Sequence, residues 1–208
     1  MRRSSLTTRS ILLTLACAAV AASACAAEPC PLVPTPKSYR SLGQSWTLTG
    51  ADQAAIVLGA QAKAPEHYAA QCLQTHIERR FQQRLPILAE TAVPQSAQQV
   101  FLLGQRSTNA WIDRLCQARN IDLGPTAPGP DGFVIEMLED GPRQVILLGA
   151  SNPRAAIYAQ DTLFDLLRSV GDRVEIPLVA VRDWPSIAWR GRPHSVLHHH
   201  LVPGAMDA

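Results

Sequence analysis

Two apolar runs of strand length, Phe133-Val134-Ile135-Glu136-Met137 and Gln144-Val145-Ile146-Leu147-Leu148, are separated by Glu139-Asp140-Gly141-Pro142. An acid-glycine-proline segment ends one strand and reverses the chain, so the pair predicts an antiparallel hairpin. A helix signal follows at once. Asn152 suits an N-cap and Pro153 the first helical position, while Ile157, Leu163, Phe164, Leu166, Leu167 and Val170 supply a buried stripe. Arg168 falls in the last turn, where a cation opposes the helix dipole, and Gly171 ends the pattern. A hairpin that feeds an amphipathic helix has to bury that helix against its own sheet. This block commits the chain to layered α and β structure.

The rest of the chain adds elements of both kinds. Pro29, Pro31, Pro34 and Pro36 impose an extended, irregular lead-in. Trp46-Thr47-Leu48 and Ala55-Ile56-Val57-Leu58 read as short strands, and Pro65–Gln83 as a helix built on Ala69, Cys72, Leu73, His76, Ile77 and Phe81. Leu85-Pro86-Ile87 closes that segment. Val100-Phe101-Leu102-Leu103 is apolar throughout, as a strand covered on both faces must be. A second helix is predicted over Asn109–Asn120, and the proline- and glycine-rich run Gly124–Gly132 is a loop. Strands grouped as hairpins with helices between them predict an α+β fold: a two-layer domain with a mostly antiparallel sheet and the helices packed on one face.

The first residues stand apart from this domain. Arg2, Arg3 and Arg9 precede an apolar run from Ile11 to Ala22, and small residues continue to Ala27. A basic start, an apolar stretch too short to span a bilayer and a small-residue exit describe a secretory signal peptide over residues 1–27. The expected product begins at Glu28 and is secreted or periplasmic; lipidation at Cys25 is the lipoprotein alternative. Removing three arginines from a formal net charge of +2 leaves about −1 (2 − 3), so no electrostatic footprint for nucleic acid remains. No later apolar run has membrane length, and no membrane partner is expected after cleavage. Cys30, Cys72 and Cys116 then remain, an odd and sparse set that makes no disulfide framework. Cys72 and Cys116 fall in helical patterns, where a free thiol acts as a small hydrophobe. In an oxidising compartment one pair could join, and the spacing does not choose it.

Three segments in order carry a family resemblance. They are Asp131-Gly132-Phe133-Val134-Ile135, then Leu148–Tyr158 with Asp161-Thr162-Leu163 and Leu166-Leu167, then Ile176-Pro177 with Arg182-Asp183-Trp184-Pro185 and Trp189-Arg190-Gly191. With Pro34-Thr35-Pro36 before them, they resemble the N-terminal, non-catalytic domain of family-20 glycoside hydrolases, the β-N-acetylhexosaminidases. The resemblance implies a hexosaminidase-like α+β domain over 28–183, and a junction with the start of a (β/α)8 barrel over 184–208. Such a barrel takes about 250 residues, and fewer than twenty follow Gly191, so the reading expects a truncated barrel. It assigns Arg190 a substrate-binding role, contacting sugar hydroxyls from the first barrel strand. After Gly191 the chain departs from the family pattern, with Ser195, His198, His199 and His200 where the family carries an acid and an arginine-histidine-aromatic cluster.

The remaining candidates read as structural. His198-His199-His200 are consecutive, so their side chains diverge and cannot converge on one metal; no metal and no cofactor are expected. Glycoside hydrolysis needs a positioned carboxyl pair. The only adjacent acids, Glu139-Asp140, sit in a hairpin turn and read as solvated, so no catalytic residue is expected. Ile187-Ala188-Trp189 is patterned as a barrel strand without its neighbours, an invitation to associate. The function expected is that of an accessory domain of a secreted glycoside hydrolase, whose partners are a catalytic (β/α)8 barrel in a longer product and carbohydrate. The alternatives are a self-sufficient extracytoplasmic carbohydrate-binding or interaction domain, and the related accessory domain of an α-glucuronidase-type hydrolase. Aromatic residues make up 5% of the chain, and Trp46, Trp111, Trp184 and Trp189 do not cluster in sequence, which gives the sugar-binding alternative little support.

Overall fold

The computed structural model describes residues 29–187. The leader, Arg190 and His198, His199 and His200 lie outside the described residues. Strand β1 spans Ser38–Thr47, β2 Ala54–Leu58, β3 Ile87–Ala89, β4 Gln99–Gly104, β5 Phe133–Asp140, β6 Arg143–Ala150, β7 Arg168–Val170 and β8 Arg173–Asp183. The helices are α1 Ala64–Phe81, α2 Ala110–Arg119 and α3 Ala155–Leu166. They build one sheet in the order β1-β8-β5-β6-β4-β2-β3, with β7 added alongside β8.

The class is α+β. The β5–β6 hairpin forms where the two apolar runs place it, closing at the Asp140–Arg143 pair around a Gly141 with φ 61°. Antiparallel pairing continues through β5–β8, β8–β1 and β7–β8, whereas β3–β2–β4–β6 run parallel. The parallel strands β2 and β4 are buried at every residue, as strands with both faces covered must be.

Alternation along these strands explains where the helices sit. Ile56, Leu58, Phe101, Leu103, Ile146 and Leu148 face α1 and α3 in the larger core. Ala55, Val57, Val100, Leu102, Val145 and Leu147 point the other way and pack with Ile112, Leu115 and Cys116 of α2. The expectation of helices on one face holds for α1 and α3 and is corrected for α2. Strands apolar on both sides need cover on both, and the polar-sided α2 supplies it.

Other boundaries differ from the sequence reading for local reasons. Helix α3 stops at Leu166, because Leu167 turns extended at ψ 133° while its N–H still reaches the carbonyls of Leu163 and Phe164. Arg168–Val170, expected in the helix, instead pair with Arg173–Glu175, and Gly171 at φ 57° turns that hairpin. Asn152 keeps a capping role through Oδ1, which accepts from the Ala155 N–H at 3.0 Å. Strand β8 escaped notice because Pro177 interrupts it. Its β5 partners begin at Ala180 and its β7 partners end at Glu175, so the missing N–H of Pro177 falls in the gap between them. Among the described residues no helix is long and apolar enough to cross a membrane.

Candidate functional site

The two ends of the described domain meet at one groove. The proline-rich lead-in runs beside Asp183–Ser186, and between them and α3 opens a cleft of about 340 Å³. Leu32, Pro36, Phe133, Tyr158 and Trp184 give it apolar walls, while Asp131, Asp161, Thr162, Asp165 and Asp183 give it polar ones. Lys37 ties its two sides together. Its backbone N–H donates to Asp183 Oδ1 at 3.1 Å and its ammonium donates to Ser186 Oγ.

The Gly129–Gly132 turn contributes Asp131 to the lining, and its residue types follow from close approach. Trp184 packs on Gly129, whose φ is 142° and where a Cβ would lie 3.4 Å from the indole. A Cβ on Gly132 would stand 2.7 Å from Pro128 Cγ and 2.9 Å from the Gly129 carbonyl oxygen. Asp131, at φ 56°, accepts from Asn152 Nδ2 at 2.8 Å and from Arg154 Nε and Nη2 at 3.0 and 2.6 Å. That fork-shaped pair fixes the turn to the start of α3.

Asp161 and Asp165 stand one helical turn apart on the exposed side of α3. Partial burial pushes the Asp161 carboxyl above its ordinary range; His76 opposes the shift and the Asp165 charge adds to it. Like charges at this spacing destabilise a helix unless a cation answers them. Sequence reading passed over this pair as part of a helix motif, although two aspartates four apart were the available signal.

Of the adjacent acids of the β5–β6 turn, one behaves as expected and the other does not. Glu139 is exposed, and its carbonyl accepts from Arg119 Nη2 at 2.8 Å. Asp140 is no solvated turn acid, because it accepts from Trp111 Nε1 at 2.7 Å and from Arg114 at 2.6 and 3.2 Å. Arg114 and Trp111 hold its carboxyl below the usual range, against the effect of burial. It pins α2 to the hairpin, a structural task that only the tertiary arrangement reveals. The Arg143 guanidinium lies 5.6 Å from the Trp111 ring centroid and completes the cluster.

Open parallel sheets bind ligands beyond the carboxyl ends of their strands, often on helix N-termini. Here the chain's own carboxylates fill that place. Fully buried Glu66 accepts from Lys63 N–H at 2.6 Å, Thr108 Oγ1 at 2.6 Å and Gln105 N–H at 3.1 Å. Glu90 accepts from the N–H groups of Ala60 at 3.2 Å and Trp111 at 3.1 Å. Both glutamates escaped sequence reading; the signal for Glu66 was an acid at the third position of a helix. Among the described residues no three metal-ligating side chains come together. Cys30, Cys72 and Cys116 are free thiols, and burial pushes Cys116 up to about 11.

Fold and groove together define an α+β domain whose described ends converge at one site. Residues 29–184 match the model for glycosyl hydrolase family 20, domain 2, and the chain belongs to that family. Among solved structures, it is similar to an exo-β-N-acetylglucosaminidase of family 20 from Vibrio harveyi, with 17% identity and a TM-score of 0.50, over 77% of this chain and 20% of that one. The chitobiase of Flavobacterium johnsoniae aligns at 14% identity and TM-score 0.52, over 77% and 22%. The β-hexosaminidase of Streptomyces plicatus aligns at 15% identity and TM-score 0.50, over 77% and 27%. These likenesses show the fold, and the chain spans about a fifth to a quarter of the length of each. No curated protein matches it.

Proposed function

We propose that this chain is the accessory N-terminal domain of a secreted glycoside hydrolase of β-N-acetylhexosaminidase type, and that it has no hydrolase activity of its own. The observation that carries the reading is the match of residues 29–184 to domain 2 of family 20. Its task is to pack against and stabilise a catalytic (β/α)8 barrel in a longer product, where Arg190 contacts the sugar from the first barrel strand. Residues 1–27 direct export and are removed, and 184–208 form the junction.

Chemistry supports the inactive reading. Oxocarbenium-like charge and leaving-group protonation require two carboxyls held at a set separation in an enclosed site. Of the acids described, Asp131 and Asp140 are bound by arginines, Glu66 is buried under three donors, and Asp161 and Asp165 stand exposed on one helix. The test is turnover of an aryl N-acetyl-β-hexosaminide by the purified chain. No release above buffer is expected; release abolished by Asp161→Asn or Asp165→Asn overturns the reading. N-terminal sequencing of exported material should begin at Glu28. Retained Met1 refutes export, and a diacylated Cys25 establishes the lipoprotein form. A carbohydrate-binding reading draws on Tyr158 and Trp184 beside the carboxylates of the groove, and saturable heat on titrating chito-oligosaccharides would favour it.

A further inference from the structure

Helices α1 and α3 pack against each other, and one polar contact sits in their seam. Gln160 of α3 is fully buried, and its amide nitrogen lies 3.2 Å from Nδ1 of His76, a half-buried residue of α1. The other end of that amide, Oε1, is buried without a hydrogen-bond partner among the described residues. An amide nitrogen can only donate, so in this arrangement Nδ1 accepts and the neutral ring carries its proton on its own Nε2. No bond holds Oε1 where it stands. A half-turn of the amide therefore breaks only the contact with the ring, and remakes it with the oxygen in place of the nitrogen. Phe164 lies beside the ring at a centroid distance of 4.5 Å, and Asp161 is close enough for a positive charge on His76 to favour its carboxylate.

We propose that His76 and Gln160 form a proton-operated latch between α1 and α3. When the imidazole takes a proton from solvent, Nδ1–H needs an acceptor, the Gln160 amide turns, and Oε1 accepts from it. The number of unpaired amide atoms does not change, since the nitrogen takes the place of the oxygen. What changes is the bond across the seam: a neutral hydrogen bond becomes a charge-assisted one, roughly twice as strong. The imidazolium also gains from the Phe164 ring and from Asp161, with Asp165 one turn further along α3. Neither aspartate is in an ion pair among the described residues. Against the latch stand Arg79 and Arg80, the latter with its guanidinium 5.3 Å from the Phe164 centroid. Both are exposed, so solvent and salt screen them, whereas Gln160 is sealed from water. Cys72, one turn before His76, is engaged with the Tyr68 hydroxyl. Stability rises as pH falls wherever the folded chain binds more protons than the unfolded one, so the seam tightens in weak acid. The latch lies wholly within the described domain and stands whichever way the hydrolase assay falls.

Thermal melts of the full chain at pH 7.5 and pH 5.5 test it against His76→Gln, which keeps a polar group in the seam but cannot take the proton. The gap in Tm between parent and variant should widen by about 2–4 °C on going to the lower pH. Gln160→Leu, which removes the acceptor, should show the same widening, and His67→Gln, at an exposed position of the same helix, should show none. Nitrogen NMR of the unaltered chain reads the device directly and does not depend on a variant folding. At pH 8 the His76 ring should carry its proton on Nε2, and the Gln160 side-chain amide signals should move together with the His76 titration. A gap that stays constant or closes in acid overturns the proposal. So does an Nδ1–H ring at pH 8, which means the amide is already turned, or a Gln160 amide that ignores the titration.

Discussion

Gly132→Ala isolates the close packing of the turn that carries Asp131 into the groove. The new methyl carbon would meet Pro128 Cγ at 2.7 Å, the Gly129 carbonyl oxygen at 2.9 Å and the Asp183 carbonyl oxygen at 3.1 Å. A proline ring and two main-chain oxygens cannot rotate away, so the turn or the end of β8 has to move. Overpacking of this kind costs about 1–3 kcal/mol, and two backbone obstacles put this site near the upper end. For a domain of this size each kcal/mol lowers Tm by about 2–4 °C, so a fall of about 6–12 °C is expected in a thermal melt. Two other glycines separate the possible causes. A Cβ at Gly141 meets nothing within 4 Å but φ is 61°, so Gly141→Ala carries only conformational strain, about 1–2 kcal/mol. At Gly124 neither obstacle exists, and Gly124→Ala should stay within about 0.5 kcal/mol of the parent. Because Trp184 rests on Gly129 in the same turn, Gly132→Ala should also shift tryptophan emission, which the other two should not. A Gly132→Ala protein melting within 2 °C of the parent, or above Gly141→Ala, would refute the steric account of this turn.

Other positions yield outcomes as definite. Glu66→Ala removes the acceptor for two backbone N–H groups and the Thr108 hydroxyl in a fully buried site, and should cost about 3 kcal/mol or more in urea unfolding. Asp140→Asn should destabilise by about 1–2 kcal/mol at neutral pH. The folded-state pKa of Asp140 is lowered, so its contribution is present above the ordinary carboxylate pKa of about 4 and is lost as pH falls through the folded value. The gap between parent and variant should therefore close in acid; a gap that widens below pH 4 contradicts the Arg114 pairing. With a thiol pKa near 11 and a buried side chain, Cys116 should resist iodoacetamide at pH 8 in the native protein, and labelling as fast as that of Cys30 would show the α2 face to be open.

Much of this protein was legible from residue pattern alone, because the signals are local. The Phe133–Leu148 hairpin, the cores of all three helices and the buried β4 run depend on periodicity, turn residues and caps that act within a few positions. The ordered motifs around Asp131, Asn152 and Trp184 were likewise sufficient to reach the family. What pattern could not supply was how the pieces meet. Asp140 looks solvated until α2 brings Trp111 and Arg114 to it from nearly thirty positions away. Strand β8 is hidden by Pro177 because a gap in pairing is a property of two neighbouring strands, and the end of α3 depends on β8 offering Arg168–Val170 a partner. The groove is the clearest case. Lys37 and Asp183 stand 146 positions apart, and neither has a sequence signal for the other. Local sterics and caps select the elements, whereas the burial of both sheet faces and the joining of the described domain's two ends arise only when the whole domain packs.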